Sequence, residues 1–171
     1  MIREIVIYPD RRLKEISKPV EHFDESLHTL LDDMYETMIA KNGVGLAAVQ
    51  VGVHLRALII NIPFDKELED SQPKENTLEV INPTLLEISG ETDFQEGCLS
   101  VPGVFEDIVR AQYVKVEYQD RFGEKHLIDD DDFLAIALQH EMDHLDGKVF
   151  IEKLSYIKRK KFEKEWKKLH P

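Results

Sequence analysis

The sequence predicts an α+β fold in which antiparallel or mixed strands pack around a central helix that carries a His-Glu-x-x-His pattern. Apolar runs typical of strands fill the middle of the chain, and helical periodicities lie on either side of them. There is no strand–helix–strand alternation of the kind that would indicate a parallel sheet. Because no repeat, low-complexity run or linker interrupts the 171 residues, we expect one domain spanning residues 1–171.

Two elements are predicted ahead of the main run of strands. Residues 4–8 have the pattern of a short strand that Pro9 ends. An amphipathic helix follows, in which apolar residues recur every three or four positions over residues 27–39. Asp24 is the predicted N-cap, and residues 42–43, Asn-Gly, supply a left-handed stop.

The remaining elements are five strands and two helices. Strands are predicted over residues 55–60, 78–82, 84–88, 114–118 and 125–128, the last two as a hairpin. Four consecutive acids, residues 129–132, begin a second helix that ends at Gly147. A third helix covers residues 155–169, and its predicted packing face consists of Ile157, Phe162, Trp166 and Leu169.

The charge of the chain is uneven. There are 22 Lys and Arg against 34 Asp and Glu, and the formal net charge of −12 argues against a protein that coats a nucleic-acid backbone. Residues 153–171, the basic C-terminal helix, nevertheless carry +6, which leaves −18 on the remainder. No stretch approaches the roughly 20 apolar residues of a membrane span, and the first residues lack the pattern of a signal peptide. A single cysteine cannot form an internal disulfide, so we expect a reducing compartment, the cytoplasm.

The strongest chemical signal is His140-Glu141-Met142-Asp143-His144. Residues four apart lie on one face of a helix, so His140 and His144 could hold one metal ion with Glu141 beside it. A Glu directly after the first His suits hydrolysis, and residues 133–138 are too apolar for a solvated face. A surface helix that has this spacing by chance is the alternative, since the chain contains seven His.

A third ligand is needed, because open catalytic sites use three protein ligands and leave a position for water. Cys98 is the candidate, because a thiolate binds Fe(II) or Zn(II) well. The alternatives downstream are His170 and the Glu residues of the last helix, and neither has a buried setting. Taken alone, Cys98 is better interpreted as a small buried core residue. Because the two histidines lack a third ligand, the interpretation as a metal ligand becomes the preferred one.

Residues 43–52, Gly-Val-Gly-Leu-Ala-Ala-Val-Gln-Val-Gly, match the Gly-x-Gly-x-x-Ala pattern of dinucleotide sites. That pattern requires a strand before it and a helix after it, and the predicted order here is the reverse. The nucleotide interpretation therefore fails. Two interpretations stay open: a plain glycine-rich turn, and a loop whose backbone binds an extended ligand while the Gln50 amide donates to a carbonyl oxygen.

Together these segments resemble those of the peptide deformylases. Three motifs follow one another in the order and near the spacing of that family: Gly43-x-Gly45-x-Ala47-Ala48-x-Gln50, Glu96-Gly97-Cys98-Leu99-Ser100 and Gln139-His140-Glu141-x-Asp143-His144. The likeness extends from Tyr8-Pro9-Asp10 to Leu145-x-Gly147 and the basic C-terminal helix. It implies a single catalytic domain that removes the N-formyl group from the starting methionine of new bacterial or organellar polypeptides and releases formate.

The resemblance also implies roles for individual residues. Cys98, His140 and His144 would hold one divalent metal ion. Glu141 would be the general base, while Gln50 and the backbone N–H of Leu99 would stabilise the oxyanion. The peptide would lie along Val44, Gly45 and Gly97, and its methionine side chain would contact Phe133, Ile136 and Ala137. Glu96 would pair with Arg110.

The expected ion is Fe(II), although zinc, nickel or cobalt could replace it in purified protein, because imidazole and thiolate ligands do not discriminate between them. The expected partners are formylmethionyl nascent peptides and, through the basic C-terminal helix, the ribosome, but neither DNA nor a membrane. Asp143 either orients the site or is a plain exposed acid. Phe105 lies where many relatives have a basic or small polar residue.

Two rival functions stay open. One is a zinc peptidase that uses the same His-Glu-x-x-His pattern with another third ligand. The other is a non-catalytic module in which the Cys and the two His form a structural zinc site, although such a site normally has a fourth protein ligand.

Overall fold

The computed structural model describes residues 1–171 and contains two antiparallel sheets and three α-helices, which confirms the predicted α+β class. The five-stranded sheet has the order β1-β2-β3-β6-β7, and β4 and β5 form a separate two-stranded sheet. The elements are α1 (Glu25–Ala40), β1 (Gly45–Ala47), β2 (Ala57–Ile60), β3 (Leu78–Ser89), β4 (Thr92–Cys98), β5 (Val101–Arg110), β6 (Tyr113–Gln119), β7 (Lys125–Asp130), α2 (Phe133–Leu145) and α3 (Tyr156–Leu169).

Helix α1 forms as the periodicity predicts. The Asp24 side chain accepts a hydrogen bond from the Leu27 N–H at 3.2 Å, which satisfies one of the free donors at the start of the helix. Asn42, with φ of 58°, is the left-handed residue after the helix, whereas Gly43 has no positive φ. The buried face of α1 packs on strands β1 and β2 in one core cluster that includes Leu30, Leu31, Met34, Met38, Leu46 and Ile59.

The strand predicted over residues 4–8 is wrong. Its backbone hydrogen bonds go to two separate parts of the chain: the Val6 N–H donates to the Gln50 carbonyl and the Tyr8 N–H to the Ser100 carbonyl, each at 2.8 Å. No continuous ladder therefore forms. The segment is instead hydrogen-bonded at one point to the turn after β1 and at another to the turn after β4.

Strands β4 and β5 and the short β1 were not predicted. Residues 92–98 are mostly polar and charged, and the apolar residues of 101–110 do not recur at every second position, so neither segment has the apolar alternation of a half-buried strand. Conversely, the two strands predicted over residues 78–82 and 84–88 are one strand, β3, whose pairing with β6 is irregular after Ile81. Asn82, which has a φ of 51°, lies at this irregularity.

Helix α2 begins later than its run of acids predicts. Asp129 and Asp130 belong to β7, and the Asp130 side chain accepts hydrogen bonds from the Asp132 and Ala135 N–H groups at 2.9 and 3.0 Å. The helix therefore starts at Phe133 and carries His140, Glu141 and His144 in its last two turns. Gly147, with a φ of +74°, follows it closely.

Helix α3 packs through fewer residues than its sequence predicts. Phe162 and Trp166 are buried against Tyr8, with ring centroids 5.6 and 5.8 Å away. Ile157 and Leu169, in contrast, are 80% and 75% exposed. The cluster around Phe162 and Trp166 also contains Val6, Leu13, Val101, Ile108, Val149, Phe150, Ile151 and Leu154. None of the helices has the length and apolar character needed to cross a membrane.

Gly147 is a position where glycine is required twice over. Its φ is left-handed, and a Cβ at this position would lie 2.3 Å from the Lys14 carbonyl oxygen. Gly147→Ala should therefore lower the free energy of unfolding in urea by about 2–4 kcal/mol, combining the backbone strain with a contact that the Lys14 backbone must move to relieve.

Gly103→Ala is the matched control, because Gly103 has a φ of +77° and a Cβ added there would meet no atom within 4 Å. The free energy of unfolding of this variant should fall by only about 1 kcal/mol, the cost of placing alanine in the left-handed backbone conformation. Equal losses in the two variants would show that the contact with Lys14 contributes nothing.

Candidate metal centre

Three side chains that can bind a metal ion converge between β4 and α2. The ligand atoms of Cys98, His140 and His144 all lie within 4.8 Å of one another. The Cys98 Sγ is 3.5 Å from the His144 Nε2. The two histidines are four residues apart on one face of α2, and the cysteine comes from the last residue of β4.

The chemistry of these donors fits a divalent transition metal. The His140 Nδ1 lies 2.7 Å from the Glu96 Oε1, so a proton on Nδ1 is held by the carboxylate and Nε2 is left free to bind an ion. One thiolate and two imidazoles are the ligand types that zinc and iron accept. The geometry therefore brings together a set of three ligands for one ion.

The two imidazoles have different electrostatic surroundings. Burial and the nearby His140 lower the pKa of His144 well below its usual value, which favours the neutral ring that binds metals. For His140, burial also favours the neutral form, but the charges of Glu141 and Cys98 and the hydrogen bonds to Cys98 and Glu96 raise its pKa well above its usual value.

A buried ion pair supports the position of His140. Arg110, on β5, donates two hydrogen bonds to Glu96, on β4, at 2.7 and 2.8 Å, so the expected pair is present. The same guanidinium donates to the Asp143 carboxylate at 2.6 Å. Although burial alone would raise it, these bonds and that from His140 hold the pKa of Glu96 below its usual value. Asp143 therefore contacts Arg110, the residue that holds Glu96 beside His140, and is not surrounded by solvent alone.

Glu141 faces the same space with an oxygen that has no partner. Its Oε1 is buried without a hydrogen bond and lies 3.9 Å from the His144 Nε2. Burial is the main reason that the pKa of Glu141 rises to about 7. Gly45 allows this arrangement, because a Cβ at that position would lie 2.6 Å from the Glu141 Oε2.

Gln50 is held in one orientation by three contacts. Its Oε1 accepts from the Ala47 N–H at 2.9 Å, and its Nε2 donates to the Ser100 hydroxyl at 3.0 Å and lies 3.5 Å from the Cys98 Sγ. The side chain is only 1% exposed. The amide N–H group is consequently fixed next to the possible metal ligand Cys98.

These groups lie at one wall of a cavity of about 750 Å³. Nearly every residue that the sequence predicted for the site lines it: Val44, Gly45, Gln50, Gly97, Cys98, Leu99, Phe133, Ile136, Ala137, His140 and Glu141. His144, which is fully buried, lies behind the cavity wall. Sequence reasoning did not predict four apolar members of the lining, Ile5, Ile7, Phe94 and Pro102.

The missed residues carry weak sequence signals. Ile5 and Ile7 lie in the segment predicted as a short strand, and the pairing of Tyr8 with Ser100 that brings this segment to the cavity joins residues far apart in sequence. Phe94 lies in a polar stretch and packs on Phe133 with ring centroids 5.2 Å apart. Only the Gly97-Cys98 motif further along the same strand indicated that this stretch borders the site.

The backbone on both sides of the cavity can pair with an extended peptide. Strand β1 is the edge of its sheet, so one of its sides has no neighbouring strand. Strand β4 pairs only with β5. Across the cavity mouth, a Cβ at Gly43 would lie 2.8 Å from the Leu99 Cδ1, so the two walls are close there.

The sequence pattern of the polypeptide deformylase family matches residues 2–160. The chain belongs to this family. It is 56% identical to a peptide deformylase of Nautilia profundicola, over 98% of this chain and 95% of the relative. Identity to the peptide deformylase of Wolinella succinogenes is 59%, over 96% and 95%.

Solved peptide deformylase structures have the same fold. The crystal structure from Legionella pneumophila matches with a TM-score of 0.88 at 45% identity, covering 99% of this chain and 97% of that one. The Ehrlichia chaffeensis enzyme in complex with actinonin matches with a TM-score of 0.88 at 44% identity, over 99% and 98%. Peptide deformylases are metal-dependent enzymes, and the cluster of Cys98, His140 and His144 is a possible metal site of this family member.

The buried pair predicts a large cost for removing Arg110. Arg110→Met leaves the Glu96 carboxylate buried without its cation, so the free energy of unfolding should fall by about 3–5 kcal/mol. Chemical denaturation followed by circular dichroism measures this loss.

Arg121→Met is the matched control. Arg121 also makes two ion pairs, with Glu79 at 2.7 Å and Asp32 at 2.8 Å, but it is 21% exposed where Arg110 is 3%. Its removal should cost about 1 kcal/mol. If Arg110→Met lowers the free energy of unfolding no more than Arg121→Met does, burial does not make the loss of the Arg110 cation more costly.

Proposed function

We propose that this chain hydrolyses the N-formyl group from the starting methionine of newly made polypeptides, with residues 1–171 as a single catalytic domain. The observation that carries the proposal is the joint position of the Cys98, His140 and His144 cluster and the unpaired buried carboxylate of Glu141 at one cavity. Membership of the polypeptide deformylase family supports the substrate. The products are formate and a free amino terminus.

Cys98, His140 and His144 would hold one divalent ion, for which we propose Fe(II), with Zn(II), Ni(II) or Co(II) as possible replacements in purified protein. When bound, such an ion supplies Lewis-acid activation of water and of the formyl carbonyl group. Glu96 and Arg110 keep the His140 ring in place, so that its Nε2 faces the cysteine.

Glu141 acts as the general base. Its carboxylate accepts a proton from the attacking water and then delivers that proton to the nitrogen of the departing amine, which is a poor leaving group unless protonated. Its buried, unpartnered oxygen is free to do so. Gly45 leaves the space that the carboxylate occupies.

Gln50 and Leu99 stabilise the negative charge that develops on the formyl oxygen when water attacks the formyl carbon. The Gln50 amide is held in place by Ala47 and Ser100, and the Nε2 hydrogen that faces the Cys98 sulfur would turn to the oxyanion. The backbone N–H of Leu99 is the second proposed donor. Each such donor typically contributes about 10²–10³ in kcat.

The peptide binds as an added strand between the edges of β1 and β4. Val44 and Gly45 supply the backbone on one side and Gly97 supplies it on the other. Phe133, Ile136 and Ala137, on the first turns of α2, line the apolar part of the cavity and would contact the methionine side chain. Methionine suits such a pocket, because it is unbranched and flexible.

Separating the loss of the base from the loss of a ligand tests this assignment. Glu141→Ala should reduce formate release from formyl-Met-Ala-Ser by at least about 10²-fold while the metal content per chain stays near that of the parent protein. Cys98→Ser should instead lower the metal content, because a neutral hydroxyl is a much weaker ligand than a thiolate. Formate is measured by coupled assay and metal by elemental analysis of anaerobically purified protein.

Three outcomes would contradict the scheme. Cleavage of an internal peptide bond in place of formate release would favour a peptidase. Unfolding on chelation without turnover of either substrate would favour a structural zinc site. Unchanged metal content in Cys98→Ser would exclude the three-ligand set.

We further propose that the enzyme works in the bacterial cytoplasm and that α3 docks it on the ribosome. Helix α3 contains seven basic residues between positions 158 and 168, and all but Arg159 are exposed. Ribosomal RNA is a polyanion, so a helix with this charge can bind it through counterion release although the rest of the chain is acidic.

Removing charge from α3 tests the docking. A truncation is unsuitable, because Phe162 and Trp166 belong to a core cluster. Replacing Lys161, Lys164, Lys167 and Lys168, all exposed, with Gln should lower co-sedimentation with ribosomes by about tenfold or more at low salt, while turnover of formyl-Met-Ala-Ser is retained.

The same four lysines replaced with Arg form the control, since the charge is kept. Binding by that variant should equal that of the parent protein and should weaken as salt rises. Full co-sedimentation of the Gln variant would refute the proposal.

A further inference from the structure

Phe105 is a large apolar residue that the fold does not need. It is 64% exposed and belongs to none of the three core clusters, yet it lines the same cavity as Glu141 and Cys98. Its position follows from an irregularity in the β4–β5 pairing. Glu96 pairs with Glu106 and Cys98 pairs with Val101, so residues 102–105 bulge out of the ladder beside the site.

The ring of Phe105 lies directly on the backbone of Gly97. A Cβ at position 97 would lie 2.6 Å from the Phe105 Cε1 and 2.9 Å from its Cδ1, so only a glycine permits this packing. Gly97 immediately precedes Cys98. A peptide that pairs with the Gly97 backbone must therefore run past an exposed aromatic ring.

We propose that Phe105 is a specificity-determining residue, which favours substrates with an apolar side chain at the second or third position, after the formylated methionine. This inference rests on the proposed function, because it concerns the same bound peptide. In an extended peptide successive side chains point to opposite sides, so one of these two positions faces the ring once the methionine enters its pocket.

The surroundings of the ring support an apolar preference. Pro102 and Leu99 line the cavity close to Phe105 in sequence, and both are apolar. Apart from Glu96, Glu141 and His140 of the site itself, the charged residues of the lining are Glu4 and Lys41, whose charges oppose each other. Outside the site itself, the charges of the lining therefore cancel and do not compete with the ring in choosing the peptide.

The test compares two small series of formylated peptides, formyl-Met-X-Ser and formyl-Met-Ala-X, in which X is Gly, Leu, Phe or Asp. With the parent protein, kcat/KM for X as Leu or Phe should exceed that for Gly by about 3- to 10-fold in one of the series, the range expected of one aromatic contact. Asp at the same position should give the lowest value, since burying its charge against the ring has no compensation.

Variants at position 105 then assign the preference to the ring. Phe105→Ala should reduce the Leu-to-Gly and Phe-to-Gly ratios to near one, and Phe105→Leu should retain part of them. Phe105→Arg should reverse the order and favour Asp, because a guanidinium pairs with a carboxylate. Phe64→Ala, which removes a ring that is 65% exposed and outside the cavity, should leave all ratios unchanged.

The outcomes distinguish this inference from the proposed function. Formate release with ratios that are the same in the parent, Ala and Arg proteins would overturn the role of Phe105 and leave the deformylase assignment intact. An absence of formate release from every peptide by the parent, metal-loaded protein would overturn both.

Discussion

The buried ion pair between Glu96 and Arg110 is the interaction on which the rest of the site depends. It joins β4 to β5, and through His140 and Asp143 it joins both strands to α2. The other contacts between these elements are many apolar ones, which tolerate small sliding movements, and a few hydrogen bonds such as those of Gln139 with the Ala111 backbone. Directional hydrogen bonds at 2.6–2.8 Å set the distance between the strand that carries Cys98 and the helix that carries both histidines. A charge pair in the interior gives little net stability, so its value here lies in fixing geometry.

The cavity results from leaving two strand edges free next to that fixed junction. Strand β1 ends its sheet, and β4 belongs to a ribbon of only two strands, so neither continues toward the other. Exposed edges usually invite unwanted pairing. Here β1 is only three residues long, and the two edges are separated by a groove in which Gly43, Gly45 and Gly97 keep side chains away from the backbone. The same absence of side chains lets the Glu141 carboxylate, the Leu99 side chain and the Phe105 ring each approach a glycine closely.

Much of this arrangement could be predicted from local pattern. The His pair four residues apart, the helix of residues 25–40 and the hairpin of β6 and β7 have strong short-range signals, and the sequence order of the three motifs indicated the family. The two-stranded sheet could not be predicted, because residues 92–98 are mostly polar and the apolar residues of 101–110 do not alternate with polar ones. The path of residues 4–8 could not be predicted either, because its two backbone hydrogen bonds are made with Gln50 and Ser100, which are distant in sequence. The individual roles of Cys98, His140, His144, Glu141, Gln50 and Leu99 stay predictions.

Phe162 and Trp166 connect the far end of the chain to the site. Both rings pack on Tyr8, the Tyr8 N–H donates to the Ser100 carbonyl, and the Ser100 hydroxyl accepts from the Gln50 amide. Residues near the two ends of the sequence therefore meet in one core cluster, and such non-local contacts form slowly. A chain interrupted before α3 is complete would contain every proposed catalytic residue and still lack the packing that holds Tyr8 against Ser100. Helix α3 therefore contributes to the stability of the segment that borders the site, although it contributes no residue to the site itself.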